Sequence, residues 1–116
     1  MKPLPVLIVE DDAALREALK DTLELSGYEV VEAADGETAL RLLEQRHVGI
    51  VVTDVQMKPM DGETLLREIK SRWSAIPVLL MTAYAVIERA VEAMRAGACN
   101  YLPKPFDPEA LVTEVA

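Results

Sequence analysis

The sequence predicts a doubly wound α/β domain with five parallel strands and five helices, and three observations carry that expectation. Two hydrophobic periods alternate along the chain: short apolar runs are each followed by apolar residues at helical spacing, the pattern of βα units on a parallel sheet. Glycine and proline mark the ends of these stretches independently of the periodicity. The 116 residues, 51% apolar and 28% charged, suffice for a single domain with a packed core that needs no disulfide or metal staple.

Taken in order, the runs Val6 to Val9, Ile50 to Val52 and Val78 to Met81 are uninterrupted, as expected of central strands covered on both faces. Glu29 to Glu32 and Asn100 to Leu102 are more polar and belong at the sheet edges. Helices are marked by Leu15, Ala18, Leu19 and Leu23, then by Ala39, Leu42 and Leu43. Leu65, Leu66, Ile69 and Trp73 mark the third, Ile87, Ala90, Val91 and Met94 the fourth, and Leu111, Val112 and Val115 the fifth. Gly27 and Gly97 stand where C-terminal caps belong, and Asp107-Pro108 joins an N-cap to Pro at the first helical position. No internal repeat, linker or low-complexity segment divides residues 1–116. The last helix is cut at Ala116 after scarcely three turns, so the chain reads as a piece of a longer one.

Charge and composition narrow the function. With 12 Lys and Arg against 20 Asp and Glu, the net charge of −8 argues against direct nucleic-acid contact, which depends on clustered cations. Cys99, the only cysteine, excludes an internal disulfide, suits a reducing cytosol and reads as a small buried hydrophobe. The longest apolar stretch, Ile76 to Ala83, falls far short of the roughly 18 residues of a spanning helix. The acids at Glu10 to Asp12 come too early for a signal peptide, so a cytoplasmic protein without a membrane partner is expected. His47, the sole histidine, removes His-based metal clusters and reads as a surface loop residue.

Ligands of doubly wound sheets bind outside the carboxyl ends of the strands. There the first strand ends in Glu10-Asp11-Asp12, the third in Thr53-Asp54, the fourth in Thr82-Ala83 and the fifth in Lys104-Pro105, so four strand ends converge on one rim. Carboxylates a few ångströms apart repel unless a cation shares them, and an all-oxygen set suits Mg²⁺, with Mn²⁺ in substitution, over zinc. Asp12 precedes a helix and also reads as an N-cap, whereas Glu10 and Asp11 have no comparable structural duty. Asp54 closes an apolar strand, where an unpaired carboxylate is costly to bury. Thr82 is either a β-branched strand residue or a hydroxyl aimed at the same pocket. Lys104 is either solvated or, between Pro103 and Pro105, a cation on a rigid extended segment whose Lys104–Pro105 bond is a candidate for cis.

These residues carry a resemblance. Over its whole length the chain resembles the receiver domain of two-component response regulators, in Leu7-Ile8-Val9-Glu10-Asp11-Asp12, Asp54-Val55-Gln56-Met57 with Met60-Asp61-Gly62, Met81-Thr82-Ala83, and Tyr101-Leu102-Pro103-Lys104-Pro105-Phe106. The resemblance implies the flavodoxin-like receiver fold, with strand order 2-1-3-4-5. It implies phosphorylation of Asp54 by a sensor histidine kinase, assisted by Thr82 and Lys104. It also implies Mg²⁺ held by Asp11, Asp54 and the Gln56 main-chain carbonyl, with Glu10 acting through water. Thr82 and Tyr101 would be the switch pair, though a tyrosine at a sheet edge is also structurally ordinary. Within the family the chain looks most like receivers of nitrogen-regulation-type transcriptional activators. That implies a C-terminal output with ATPase and DNA-binding parts, and a homodimer through helix four, strand five and helix five. Lys58-Pro59 departs from the family, which places Pro directly after the Met that corresponds to Met57.

Such a domain catalyses only its own phosphorylation and dephosphorylation, with Gln56 and Tyr84 flanking the approach of water. A haloacid-dehalogenase-type phosphatase needs a second Asp two residues after its nucleophile, where this chain has Gln56. A flavin carrier needs a phosphate loop after the first strand, where this chain has three acids. The remaining rival is a receiver-like interaction module that is never phosphorylated.

Overall fold

A computed structural model describes residues 4–82, 87–103 and 108–115, and for 87–90, 101, 103 and 108 the backbone. Strands and helices alternate: β1 (Val6–Val9), α1 (Ala13–Leu25), β2 (Val30–Ala33), α2 (Gly36–Gln45), β3 (Ile50–Asp54), α3 (Gly62–Arg72), β4 (Val78–Thr82), α4 (Ile87–Arg95), β5 (Asn100–Pro103) and α5 (Pro108–Val115). All pairings are parallel, in the order β2-β1-β3-β4-β5, with Val6 opposite both Val30 and Ile50, Val51 opposite Val78, and Leu79 opposite Asn100.

Strand alternation divides the apolar residues between two cores. Leu7, Val9, Val51, Val78 and Leu80 pack with Ala39 and Leu43 of α2, Leu65, Leu66 and Ile69 of α3, and Ala93 of α4. Val6, Ile8, Ile50, Val52, Leu79 and Met81 pack on the other face with Leu19 and Leu23 of α1 and Leu111 of α5. Every residue of β1, β3 and β4 is buried, which is why these strands read as unbroken apolar runs. Edge strand β2 is half-exposed, so its composition is mixed.

Helix ends follow local chemistry. The Asp12 carboxylate accepts from the Ala14 and Leu15 amides at 3.0 and 3.2 Å, as anticipated for an N-cap. At the other end of α1, Gly27 takes φ +93°, its N–H reaching Glu24 O at 3.0 Å while Tyr28 N–H reaches Leu23 O at 3.1 Å. This is the paired closure that a residue without Cβ makes cheaply. Gly97, at φ +108°, closes α4 in the same way. Asp35 and Asp61 cap α2 and α3 through Thr38 N at 2.8 Å and Thr64 N at 2.7 Å. Both caps have a sequence signature, since Asp-Gly-Glu-Thr occurs at 35–38 and again at 61–64, a short recurrence in a chain without larger repeats. The Thr38 bonds, backbone first, hold the Asp35 carboxyl below its ordinary value.

The structure shifts some expectations. The second strand is Val30–Ala33 rather than 29–32, because Val9 pairs with Ala33 at its carboxyl end. Trp73, expected inside the third helix, is its C-cap and lies under the Arg72 guanidinium, 4.5 Å from the ring centre. Cys99 is exposed, not buried, since it lies just after the α4 closure and before β5. Its surroundings still desolvate the thiol and, with Glu114 nearby, push its pKa up. His47 is exposed in a loop, as expected. The cis bond among the described residues is Lys58–Pro59; Lys104–Pro105 and Asp107 lie outside them. No helix among the described residues is long and apolar enough to cross a membrane.

Candidate functional site

Parallel register places the last residues of β1, β3 and β4 on one rim, because Val9 pairs with Thr53 and Asp54 with Met81. Glu10 follows β1 directly, and its N–H donates to Ala33 O at 3.1 Å, fixing the turn out of the sheet. It is only 1% exposed, and its Oε2 accepts the Asp12 N–H at 3.2 Å. Asp11 is exposed. Asp54, 4% exposed, is itself the final residue of β3. Its Oδ1 lies 3.4 Å from the Gln56 amide nitrogen, and the next residue, Val55, is pinned by its N–H to Met81 O at 2.9 Å.

Glu10, Asp11 and Asp54 each offer a carboxylate oxygen, and these oxygens lie within 4.8 Å of one another. Oxygens on opposite sides of an octahedral Mg²⁺ are separated by about 4 Å, since each bond is about 2.0–2.1 Å. The spacing and the all-oxygen donor set therefore fit a hard divalent cation. Three converging carboxyl groups, two of them on buried side chains, would repel one another as carboxylates, and a shared cation relieves that repulsion. Asp12 is outside this cluster, since its side chain caps α1.

Thr82 ends β4 and is fully buried, and its Oγ1 lies 2.9 Å from Gln56 Nε2 and 3.2 Å from Gln56 Oε1. Of the site residues expected from the sequence, the structure thus brings together Glu10, Asp11, Asp54, Gln56 and Thr82. Lys104, Tyr84 and the Tyr101 side chain lie outside the described residues; the Tyr101 backbone pairs with Leu80. Two supporting residues make contacts that the sequence does not reveal. Arg16 Nη1 donates to the Glu10 carbonyl at 2.8 Å while its Nε lies 3.6 Å from Glu32, tying α1 and β2 to the acidic turn. Gly62, the first residue of α3, donates its N–H to Val55 O at 2.9 Å and seats that helix against the end of β3. Its position in Met60-Asp61-Gly62 is legible in the sequence, but the contact it makes is not.

A doubly wound parallel sheet with an acidic pair beside a buried strand-end aspartate defines a receiver-type domain. The chain belongs to the response regulator receiver domain family, whose profile matches residues 6–116. It is 54% identical over 111 residues, 96% of its length, to the response regulator protein FleR of Pseudomonas aeruginosa, covering 24% of that protein. To the regulatory protein AtoC of Escherichia coli K12 it is 45% identical over 102 residues, 88% of its length and 22% of AtoC. The chain thus spans about a quarter of these relatives. Among solved structures it is similar to the chemotaxis protein CheY4 of Vibrio cholerae, with a TM-score of 0.90, 32% identity, and coverage of 97% of this chain and 95% of that one. A response regulator receiver domain protein of Methanospirillum hungatei JF-1 gives a TM-score of 0.92 at 31% identity, covering 98% of this chain and 91% of that one.

Proposed function

We propose that this receiver domain accepts a phosphoryl group on Asp54 from a sensor histidine kinase and thereby switches an output. The observation that carries the proposal is the convergence of Glu10, Asp11 and Asp54 at the ends of β1 and β3. An Asp54 carboxylate oxygen attacks the phosphorus of a phosphohistidine. The O–P bond forms as the P–N bond breaks, and the departing imidazole nitrogen keeps the electron pair and takes up a proton. Burial of Asp54 restricts the approach of water to the resulting acyl phosphate. The Lys104 ammonium balances charge on the transferred oxygens, and the Thr82 hydroxyl then binds one of them. Asp11, Asp54 and the Gln56 carbonyl, with Glu10 through water, would hold Mg²⁺, which supplies further charge neutralisation at the phosphoryl oxygens.

In this reading the domain is the N-terminal part, residues 1–116, of a longer cytoplasmic regulator of the nitrogen-regulation type. Support comes from the identity to FleR and AtoC, each more than four times the matched length. An output domain with ATPase and DNA-binding parts would follow in the longer protein. Tyr101 on β5 turns as Thr82 moves, and the α4, β5 and α5 face then pairs with a second copy. Incubation with acetyl phosphate and Mg²⁺, read by intact mass, tests the acceptor. One phosphoryl group is expected on the parent chain and none on Asp54→Asn. No mass gain on the parent would favour an interaction module, and phosphate on Asp11, Asp12 or Asp61 would refute the assignment.

A further inference from the structure

Gln56 enters the proposed site through its main-chain carbonyl, yet its side chain makes a second, distinct contact. Its amide meets the Thr82 hydroxyl across 26 residues of sequence, with Nε2 at 2.9 Å and Oε1 at 3.2 Å from Oγ1. Thr82 is fully buried while Gln56 is half-buried, so the contact joins the interior strand end to a more exposed residue of the rim. A threonine hydroxyl carries a single proton. The proton shared with Gln56 Oε1 is the one that a phosphoryl oxygen on Asp54 would require, and the hydroxyl cannot donate it to both.

We infer that Gln56 is a positioning residue for the switch: its side-chain amide holds Thr82 in the unphosphorylated conformation and opposes the hydroxyl's move to the phosphoryl group. The inference rests on Asp54 being the phosphoacceptor. It separates two roles within one residue, because replacing the side chain leaves the main-chain carbonyl in place. Gln56→Met keeps the length and removes the amide. The contacts given up are neutral, an ordinary one at 2.9 Å from Nε2 and a longer one at 3.2 Å to Oε1, so their loss together favours the phosphoryl-bound state by about fivefold.

The test uses beryllofluoride with Mg²⁺ as the phosphoryl mimic, titrated into the parent chain, Gln56→Met, Thr82→Val and the double variant. Gln56→Met is expected to bind the mimic about fivefold more tightly, and the gain is expected to vanish in the Thr82→Val background. Thr82→Ser, which retains a hydroxyl, restores it. A general loosening of the loop would instead act equally in all backgrounds, so an undiminished gain with Thr82→Val overturns the inference, as does unchanged or weaker binding by Gln56→Met. In the unliganded chain, the ¹⁵N signal of the Gln56 side-chain amide is expected to shift in Thr82→Val, and no shift would remove the contact itself. Failure of the parent chain to bind the mimic at all would overturn the phosphoacceptor reading and the competition together. Binding that is indifferent to Gln56 would overturn the competition alone.

Discussion

Adding one methyl group at Gly62 tests how tightly the site is built into the backbone. A Cβ at this position would lie 2.2 Å from the Asp54 carbonyl oxygen, 2.9 Å from the Asp54 carbonyl carbon and 2.8 Å from Val55 Cα. All three are main-chain atoms, so no rotamer relieves the clash. Restoring an ordinary contact of 3.4 Å to the oxygen requires a displacement of 3.4 − 2.2 = 1.2 Å. The segment that must move is held by Val55 N–H on Met81 O and by Gly62 N–H on Val55 O, both 2.9 Å. Overpacking of this kind costs up to about 3 kcal/mol and weakening a main-chain hydrogen bond about 1 more. The preference of a helix for Ala over Gly returns at most about 1. Gly62→Ala should therefore destabilise the domain by about 3 kcal/mol, measured from the urea midpoint at constant m-value. Gly36→Ala is the matched control. Its Cβ would meet Met60 Sδ at 2.7 Å and Met60 Cβ and Cγ at 3.2 Å, all side-chain atoms that yield more readily than main chain, so a smaller cost of about 1 kcal/mol is expected. Since a 1 Å misplacement can cost about a hundredfold in rate, the surviving folded Gly62→Ala should also accept phosphate from acetyl phosphate markedly more slowly. Equal costs for the two variants, or a Gly62→Ala within about 0.5 kcal/mol of the parent, would refute the reasoning.

Mg²⁺ should raise the thermal midpoint of the parent chain by mass action on the folded state, and Asp11→Ala should abolish most of that gain without costing the metal-free protein stability. Asp12→Ala should do the reverse, losing about 1 kcal/mol through its cap while keeping the Mg²⁺ response; the opposite pattern would move the metal ligand to Asp12. Asp35 yields a pH prediction. Its folded carboxyl titrates below the unfolded value near 3.8, so the unfolded state binds more protons in that range. The stability it contributes is whole above the unfolded value and is lost as pH falls through the folded one. Asp35→Ala should lower neutral-pH stability by about 1 kcal/mol and flatten the acid limb of the stability curve, whereas curves parallel down to about pH 3 would contradict the shift.

Much of the architecture is a local property of the chain. Uninterrupted runs such as Val6 to Val9 predict central strands because both faces of a parallel sheet are covered, and the buried β1, β3 and β4 agree. Gly27 and Gly97 mark helix ends because the positive φ there is a cost that other residues seldom bear. Placing Glu10, Asp11 and Asp54 together needs only the strand-end rule, since in a parallel sheet every strand delivers its last residue to the same rim. Cys99 departs from expectation because burial is not local: apolar character alone does not say which residues of a connecting turn face inward.

Tertiary structure decided the rest, and always where distant segments meet. The sequence identifies Glu10 and Asp11 as adjacent acids, but only the turn out of β1 determines that Glu10 is buried and Asp11 exposed. It places Gly62 in a recognisable motif, while the close approach that would leave an added Cβ only 2.2 Å from the Asp54 carbonyl oxygen exists only because α3 packs onto the end of β3. It offers Gln56 and Thr82 as separate candidates, and the pairing of Asp54 with Met81 brings one within hydrogen-bonding reach of the other. Periodicity and caps are set by neighbours within a few residues, so the chain alone determines them. Contacts across 26 residues depend on the register of strands and the seating of helices, which the folded core establishes as a whole.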